Sequence, residues 1–351
     1  MIVYYFYLLY GMLVSNLVSN KKNLAIILWL GLFLIMALRA PTVGNDLERY
    51  IEQFSSAQYF DVGDSRTEAG YVVFLKILHF FGLGKRGFIV VVSFIVSGSF
   101  SWFFYKFSKN LAFTFLMHVL VGLFAFSLTG IRQSLAVSLT LFAFYFAVRN
   151  QIIYFIGIVI LAFTFHSSAL IFMPIYFLVK YKLNNYKKIF LVICIGFFLA
   201  FANQYLVSSL GFLSTEKYSN SYLENSKASG LNILPIIFQF CLVFSVVIIW
   251  QIKNIKLMNI DANDLIFTFL SFLSVIFVMM AINLSIISRF SFYFTPYICV
   301  LIPNSIEYFD RKDTKRILQI LVCLIGSLFF YMANSNGVLK IDNYEFDNDI
   351  F

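Results

Sequence analysis

The chain has 351 residues, of which 61% are hydrophobic, 20% aromatic and only 12% charged, with a formal net charge of +9. The charged share is about half that of an ordinary soluble domain, so the composition excludes a soluble globular protein and indicates an integral membrane protein. Because apolar runs recur with no soluble block between them, we expect one polytopic domain over residues 1–351, with any chemistry confined to loops and helix ends.

Apolar stretches of membrane-crossing length, or slightly short of it, predict an all-α fold with about twelve transmembrane helices. The first stretch lacks the basic start and the cleavage site of a signal peptide, so we interpret it as the first span. The stretches cover residues 2–19, 23–38, 87–105, 111–129, 132–148, 152–165, 167–179, 188–210, 233–252, 264–283, 290–306 and 317–333.

The distribution of Lys and Arg predicts the orientation, because these residues collect in cytoplasmic loops. One alternate set of connections holds 15 of the 26 cations but five of the 17 carboxylates, which marks it as cytoplasmic. Residues 39–86 and 334–351 then form an extracytoplasmic loop and tail, and both termini lie outside. This topology requires residues 71–83, about thirteen in number, to form an amphipathic or re-entrant helix rather than a span. It also explains the net charge without a nucleic-acid partner.

Several cations stand on the outer side where helices are predicted to begin. A helix N-terminus is the positive end of the helix dipole, so a cation there is unfavourable unless an anion lies beside it. We therefore predict an outward-facing phosphate or diphosphate site, in which a guanidinium group can grip two phosphate oxygens. The residues concerned are Lys85 with Arg86, Arg132, Arg289 and His166, the last preceding a helix with Ser167 or Ser168 as N-cap.

Each of these residues also has a structural interpretation. Arg132 or Arg289 alone could be a snorkelling anchor or the partner of a loop carboxylate, and His166 alone could be a helix-end histidine. Their convergence on one face favours the functional hypothesis. The sequence holds no Gly-rich P-loop, no H-E-x-x-H, no G-x-S-x-G and no cysteine ligand set, so we expect neither a metal nor a cofactor.

The sequence around these residues resembles that of the EpsG-like family, within the broad Wzy-type group of O-antigen and capsule polymerases. In order, the matching segments extend over nearly the whole chain. They are residues 39–50 (RAPTVGNDLERY), 68–71 (EAGY), 130–133 (GIRQ), 165–169 (FHSSA), 289–294 (RFSFYF) and 343–346 (NYEF).

The resemblance implies a glycosyltransferase of the bacterial inner membrane. It would join oligosaccharide repeat units carried on undecaprenyl diphosphate at the outer leaflet, with the lipid-linked units as donor and acceptor among the membrane lipids. A chain-length regulator is an additional candidate partner. The physical argument agrees, because a diphosphate leaving group on a lipid needs cations at the outer membrane boundary.

In this hypothesis Arg132 and Arg289 hold and neutralise the leaving diphosphate. The acceptor hydroxyl needs a base, which Asp46, Glu68 or His166 could supply.

The remaining candidate residues are assigned to the loop. We expect Arg39 to brace it by pairing with an acid such as Asp46. Tyr50, Tyr71 and Gln133 are expected to brace the loop or to bind substrate.

Two other functions remain open. A flippase or transporter of the same lipid-linked units would need ionisable residues near the middle of the membrane, whereas the predicted spans here are nearly free of charge. A membrane acyltransferase that decorates the polysaccharide, with His166 as base, would need an acyl donor for which the sequence holds no motif.

Overall fold

The structure is a computed structural model that describes residues 1–59, 67–180, 234–253, 255, 259–281 and 287–347. These residues form helices and no β-strand, apart from one isolated antiparallel bridge between Arg39 and Phe346. The all-α prediction is therefore confirmed. The chain divides into two compact units, unit 1 (Met1–Lys180 with Arg316–Phe351) and unit 2 (Tyr181–Lys315).

Unit 1 begins with ten α-helices in the described part of its first segment. They are α1 (Ile2–Leu17), α2 (Lys21–Ala37), α3 (Leu47–Ser56), α4 (Ala69–Phe80), α5 (Lys85–Phe107), α6 (Leu111–Leu120), α7 (Leu123–Thr129), α8 (Ile131–Val148), α9 (Ile152–Phe165) and α10 (Ile175–Lys180), with 3₁₀ turns at Ala57–Tyr59 and Ser167–Phe172.

The described part of unit 2 holds four helices, α11 (Leu234–Ile252), α12 (Ala262–Met280), α13 (Ser288–Ser291) and α14 (Thr295–Ile306), and the start of a fifth, α15 (Lys312–Asn334). Within unit 2, α12 packs against α11, α13 and α14. Most of α15, from Arg316 onward, belongs to unit 1.

Local side-chain chemistry sets several of the helix starts. The Asn20 side chain accepts hydrogen bonds from the backbone at the start of α2, Asn110 does so for α6, and Asp261 does so for α12. Each thereby satisfies backbone N–H groups that have no partner inside the helix. Gly122, with a φ of 79°, separates α6 from α7, and the two helices meet at a bend of 58°.

The number of membrane spans differs from our expectation of about twelve. Within the described ranges, five helices are long and apolar enough to cross a bilayer, or six if α6 and α7 form one bent span. The first two expected spans are helices of 16 and 17 residues, and residues 290–306 divide into a four-residue and a twelve-residue helix. The span expected at 188–210 lies outside the described residues. The count of twelve is not confirmed.

One end of unit 1 joins the first loop, the C-terminal tail and the N-terminus. The backbone N–H groups of Gly44 and Asn45 donate to tail carbonyls at 3.0 Å, and the Asp347 N–H donates to the Leu38 carbonyl at 3.1 Å. The Met1 amino group donates to the Asp342 carbonyl. We call this the loop end of unit 1.

The opposite end of unit 1 is basic. The Lys21 ammonium donates to the Ser108 carbonyl at 2.9 Å, and the Arg149 guanidinium lies 4.2 Å from the centre of the Tyr145 ring. These cations contact backbone and aromatic groups. We call this the basic end.

Candidate active site

The most prominent polar contact at the loop end joins Arg132 to Glu68. Arg132 is the second residue of α8, and Glu68 is the residue before α4. The Arg132 Nη1 donates to the Glu68 Oε2 at 2.5 Å, and both side chains are about one-fifth exposed, at 22% and 23%. A charge-assisted bond of this kind fixes the direction of both groups while leaving them within reach of solvent.

Two tyrosine rings enclose the guanidinium of Arg132. Its central carbon lies 6.0 Å from the centre of the Tyr50 ring and 5.9 Å from that of Tyr71, and the two rings meet edge-to-face at 6.1 Å. Tyr50 points inward because α3 is amphipathic, with Leu47, Tyr50, Ile51 and Phe54 buried along one face. A cation over aromatic faces is stabilised without losing its hydrogen-bond donors.

Donors without partners remain at this pair. The Arg132 Nε is buried and has no hydrogen-bond partner, and the hydroxyl of Tyr71, whose side chain is fully buried, has none either. A buried donor without an acceptor is costly, so each of them is suited to an oxygen acceptor supplied from outside the protein.

Two glycines bring the surrounding segments close to this pair. Gly44 has a φ of 104°, a conformation that L side chains rarely adopt, and a Cβ there would overlap the Leu128 carbonyl just ahead of α8. Gly70, in the first turn of α4, lies so close to Thr164 near the end of α9 that a Cβ would overlap its side chain. The glycines of the G-N-D and E-A-G-Y segments therefore let the first loop pack closely against α7 and let α4 pack closely against α9.

Asp46 lies immediately before α3, one helical turn from Tyr50. Its carboxylate makes no capping hydrogen bond to α3 and is partly exposed. Within the described ranges it has no ion pair either. Asp46 is thus a partly exposed carboxylate, one helical turn before a tyrosine that faces Arg132, with no ion pair among the described residues.

His166 ends α9 and itself caps the following 3₁₀ turn. Its Nδ1 accepts from the Ser168 N–H at 3.4 Å and lies 2.6 Å from the Ser168 Oγ. The prediction of Ser167 or Ser168 as the N-cap is therefore wrong. Because Nδ1 accepts from a backbone N–H, a neutral ring carries its proton on Nε2, so its second nitrogen is a donor.

Two of the cations at helix starts have carboxylate partners within the protein. Glu68 supplies the anion for Arg132, and the Asp347 carboxylate supplies one for Arg86 at 3.1 Å. A bound phosphate is therefore not required to explain either position. The phosphate hypothesis depends instead on the donors that these contacts leave unused.

Two other candidates, Arg39 and Arg289, have different surroundings from those expected, and a third, Gln133, is buried. The groups that act electrostatically on Arg39 are Tyr4, Tyr344 and Arg86, so its expected pairing with Asp46 is not observed. Gln133 is buried in the first turn of α8, at 3% exposure. Arg289 belongs to unit 2, within the four-residue helix α13 rather than at the start of a long one.

One buried carboxylate in unit 2 is absent from the residues singled out by sequence. Asp264 lies in the first turn of α12 with no exposed surface. It accepts from the Asn304 Nδ2 at 2.8 Å and from the Tyr308 hydroxyl at 3.1 Å. The signal was its position three residues after the cap Asp261, at the start of an apolar run.

No metal-ligand cluster is found in the part of the chain that the structure describes, where no three His, Cys, Asp or Glu side chains come together. The residues around the Glu68–Arg132 pair offer hydrogen-bond donors, one guanidinium and carboxylates. Such a set is suited to binding phosphate and to moving a proton.

The fold and the site together define a polytopic helical membrane protein with an acid–arginine pair at one end of its first unit. The model of the EpsG family matches residues 22–346, so the chain belongs to the EpsG family. The motif resemblance is thereby confirmed. No curated protein and no solved structure matches the chain.

Family membership identifies the protein at a coarse level. It is a membrane protein of polysaccharide biosynthesis, of the glycosyltransferase-like polymerase kind, and its family implies a lipid-linked sugar substrate.

Proposed function

We propose that this protein polymerises oligosaccharide repeat units carried on undecaprenyl diphosphate, at the outer leaflet of the bacterial inner membrane. In this proposal the loop end of unit 1 and both termini face outward. The observation that carries it is the Glu68–Arg132 pair, which is about one-fifth exposed and leaves the Arg132 Nε without a partner.

Arg132 is proposed to bind the diphosphate leaving group. Its Nη1 is held by Glu68, while Nε and the nearby Tyr71 hydroxyl have no acceptor within the protein. As the bond between the sugar C1 and the phosphate oxygen breaks, its electron pair goes to the diphosphate, whose negative charge increases. A guanidinium already oriented by Glu68 and two tyrosine rings stabilises that charge without reorganising.

Asp46 is proposed to be the base. The acceptor hydroxyl forms a new C1–O bond and gives its proton to a carboxylate, which is the usual role of an acid side chain in glycosyl transfer. Glu68 is less suited to this step, because its carboxylate already serves as the counterion of Arg132. Asp46 has no such partner among the described residues.

His166 is proposed to contact substrate as a donor rather than to act as the base. Its Nδ1 is engaged with Ser168, so the Nε2–H is suited to a phosphate or sugar oxygen. Tyr50 and Tyr71 orient Arg132. A phosphate-binding role for Arg289 rests on the sequence pattern alone.

The test compares two carboxylates on the same short segment. Asp46→Asn keeps the shape of the side chain but removes its basicity, whereas Glu48→Gln changes an exposed acid in the first turn of α3. In a deletion strain, we expect Asp46→Asn to abolish long-chain polysaccharide and to accumulate single lipid-linked units on the outer leaflet. Glu48→Gln should restore the normal ladder of chain lengths at equal protein level in the membrane.

Other outcomes would identify other functions. A normal ladder with Asp46→Asn would overturn the assignment of the base. Accumulation of the units on the inner leaflet would indicate a transporter. Polymer of unchanged length that lacks acyl groups would indicate an acyltransferase.

A further inference from the structure

The Arg39 side chain is a buried cation with part of its charged group unsatisfied. It is 1% exposed, and neither its Nε nor its Nη1 has a hydrogen-bond partner. Its backbone is held firmly, because it forms the antiparallel bridge to Phe346 and its carbonyl accepts from the Arg86 Nη1 at 3.1 Å. The position of Arg39 is therefore set by its main chain, not by a partner of its guanidinium.

The groups around this guanidinium do not neutralise it. Tyr4, Tyr344 and Arg86 interact with it electrostatically, and none of them carries a negative charge at neutral pH. Burial raises the pKa of the Tyr344 phenol to about 12, and Arg86 is itself a cation, paired with Asp347. Within the described residues, no carboxylate forms an ion pair with Arg39.

An uncompensated buried charge costs a large part of a protein's net stability. Burial lowers the pKa of Arg39 only to about 10, so the group stays protonated at neutral pH. The Tyr4 hydroxyl and the Arg86 Nη2 are also buried without a partner. A water molecule could accept some of these donors, but it would leave the charge in place.

We propose that Arg39, Tyr4 and Arg86 enclose a monovalent anion, specifically a halide such as chloride, beneath the C-terminal tail. A halide accepts hydrogen bonds from N–H and O–H groups in any direction, and its negative charge neutralises the buried Arg39 guanidinium. The tail contributes Tyr344 and Phe346 beside Arg39, and it pairs with Ala40 through the Glu345 carbonyl at 2.9 Å. The anion would thus lock the tail onto the first loop. This inference does not depend on the proposed enzymatic activity.

Thermal unfolding of the purified full-length protein in detergent tests the anion site. Sodium chloride is compared with sodium gluconate at equal ionic strength, with sodium bromide and sodium phosphate as further arms. We expect the melting temperature to rise with chloride along a saturable curve, because a ligand that binds only the folded state stabilises it. Bromide should replace chloride, and phosphate should not.

Two variants locate the effect. Arg39→Met removes the charge while keeping an unbranched side chain, so the chloride effect should vanish. Tyr4→Phe removes one donor, and the chloride concentration at half-effect should rise about tenfold. Arg149→Met, at the basic end, is the matched control and should keep the wild-type response.

Three results would contradict the halide site. Equal melting temperatures of the wild-type protein in chloride and gluconate would mean that water alone fills the site. A chloride effect that persists in both Arg39→Met and Tyr4→Phe would place the anion elsewhere. Stronger, saturable stabilisation by phosphate would replace the halide with an oxyanion.

Discussion

Glu68 in unit 1 and Asp264 in unit 2 are both carboxylates at the start of a helix, but their surroundings differ. Glu68 is partly exposed and pairs with a cation, and that cation keeps an unused donor. Asp264 has no exposed surface and accepts hydrogen bonds from the neutral groups of Asn304 and Tyr308. The Glu68–Arg132 pair can still bind a ligand, whereas the Asp264 carboxylate accepts hydrogen bonds from partners within unit 2.

This difference separates the residues expected to carry chemistry from those expected to hold the fold. Buried polar groups that are fully hydrogen-bonded stabilise a unique packing, and their loss destabilises the protein. Partly exposed ion pairs contribute little to stability, so ligand binding is the better explanation for the Glu68–Arg132 pair. Substitutions in the two regions should therefore affect different measurements.

The largest expected effect is that of Arg132→Gln on the rate of polymerisation. Loss of a donor that stabilises a developing anion lowers a rate constant by about 10²–10³-fold. The unfolding free energy should change by about 1 kcal/mol or less, because the pair with Glu68 is partly exposed. Rates are measured on purified protein with lipid-linked repeat units. Arg149→Gln is the control, and equal rates for the two variants would erase the distinction between the two ends of unit 1.

Asp264→Ala should mainly reduce stability. It leaves the Asn304 amide and the Tyr308 hydroxyl without their shared acceptor, which costs about 2–4 kcal/mol in unfolding free energy. Activity per folded molecule should stay near that of the wild type. Asp261→Ala, which removes the N-cap of α12, should cost about 1 kcal/mol in denaturant unfolding. If Asp264→Ala lost activity while keeping full stability, Asp264 would belong with the catalytic residues.

Gly70→Ala should have an intermediate effect on both measurements. The added methyl group would overlap Thr164, so α4 must shift and carry Glu68 away from Arg132. Overpacking of this kind costs about 1–3 kcal/mol. Gly157→Ala is the control, since a Cβ at Gly157 in α9 meets no atom within 4 Å. Thermal unfolding and polymerisation rate are measured together, and a neutral Gly70→Ala would show that α4 does not depend on this close approach.

The smallest expected effect is that of Ser168→Ala. Its hydroxyl lies 2.6 Å from the His166 Nδ1, and removing one hydrogen bond that orients the ring costs about 1 kcal/mol, or roughly a fivefold loss of rate. Ser167→Ala, on an exposed neighbour, should leave the rate unchanged. An identical rate for Ser168→Ala would argue that the orientation of His166 has no part in turnover.

The sequence predicts much of the composition of this site but little of its pairing. Short motifs and charge position single out Asp46, Glu68, Arg132 and His166 as candidates. The segment 71–83, expected as a short helix, contains most of α4, and its place at the membrane boundary stays a prediction. Glu68 and Arg132 are 64 residues apart, so their contact depends on how α4 packs against α9, which in turn packs against α8. No local pattern records that packing.

The missed features have the same physical origin. Asp264 was missed because its partners lie 40 and 44 residues away, at and just beyond the end of a different apolar run. The Arg39 surroundings depend on the tail, about 300 residues further along the chain, which pairs with the first loop at Phe346. Hydrophobic periodicity predicts that helices exist, but it carries no information on which polar side chains meet.

The affinity of the purified protein for undecaprenyl diphosphate, the leaving group of the proposed reaction, tests the central claim most directly. Arg132→Gln should bind this lipid about tenfold or more weakly than the wild type, because a charge-assisted hydrogen bond is lost, while Arg149→Gln should bind it with unchanged affinity. Equal affinities of the wild type and Arg132→Gln would contradict the assignment of this arginine to the diphosphate.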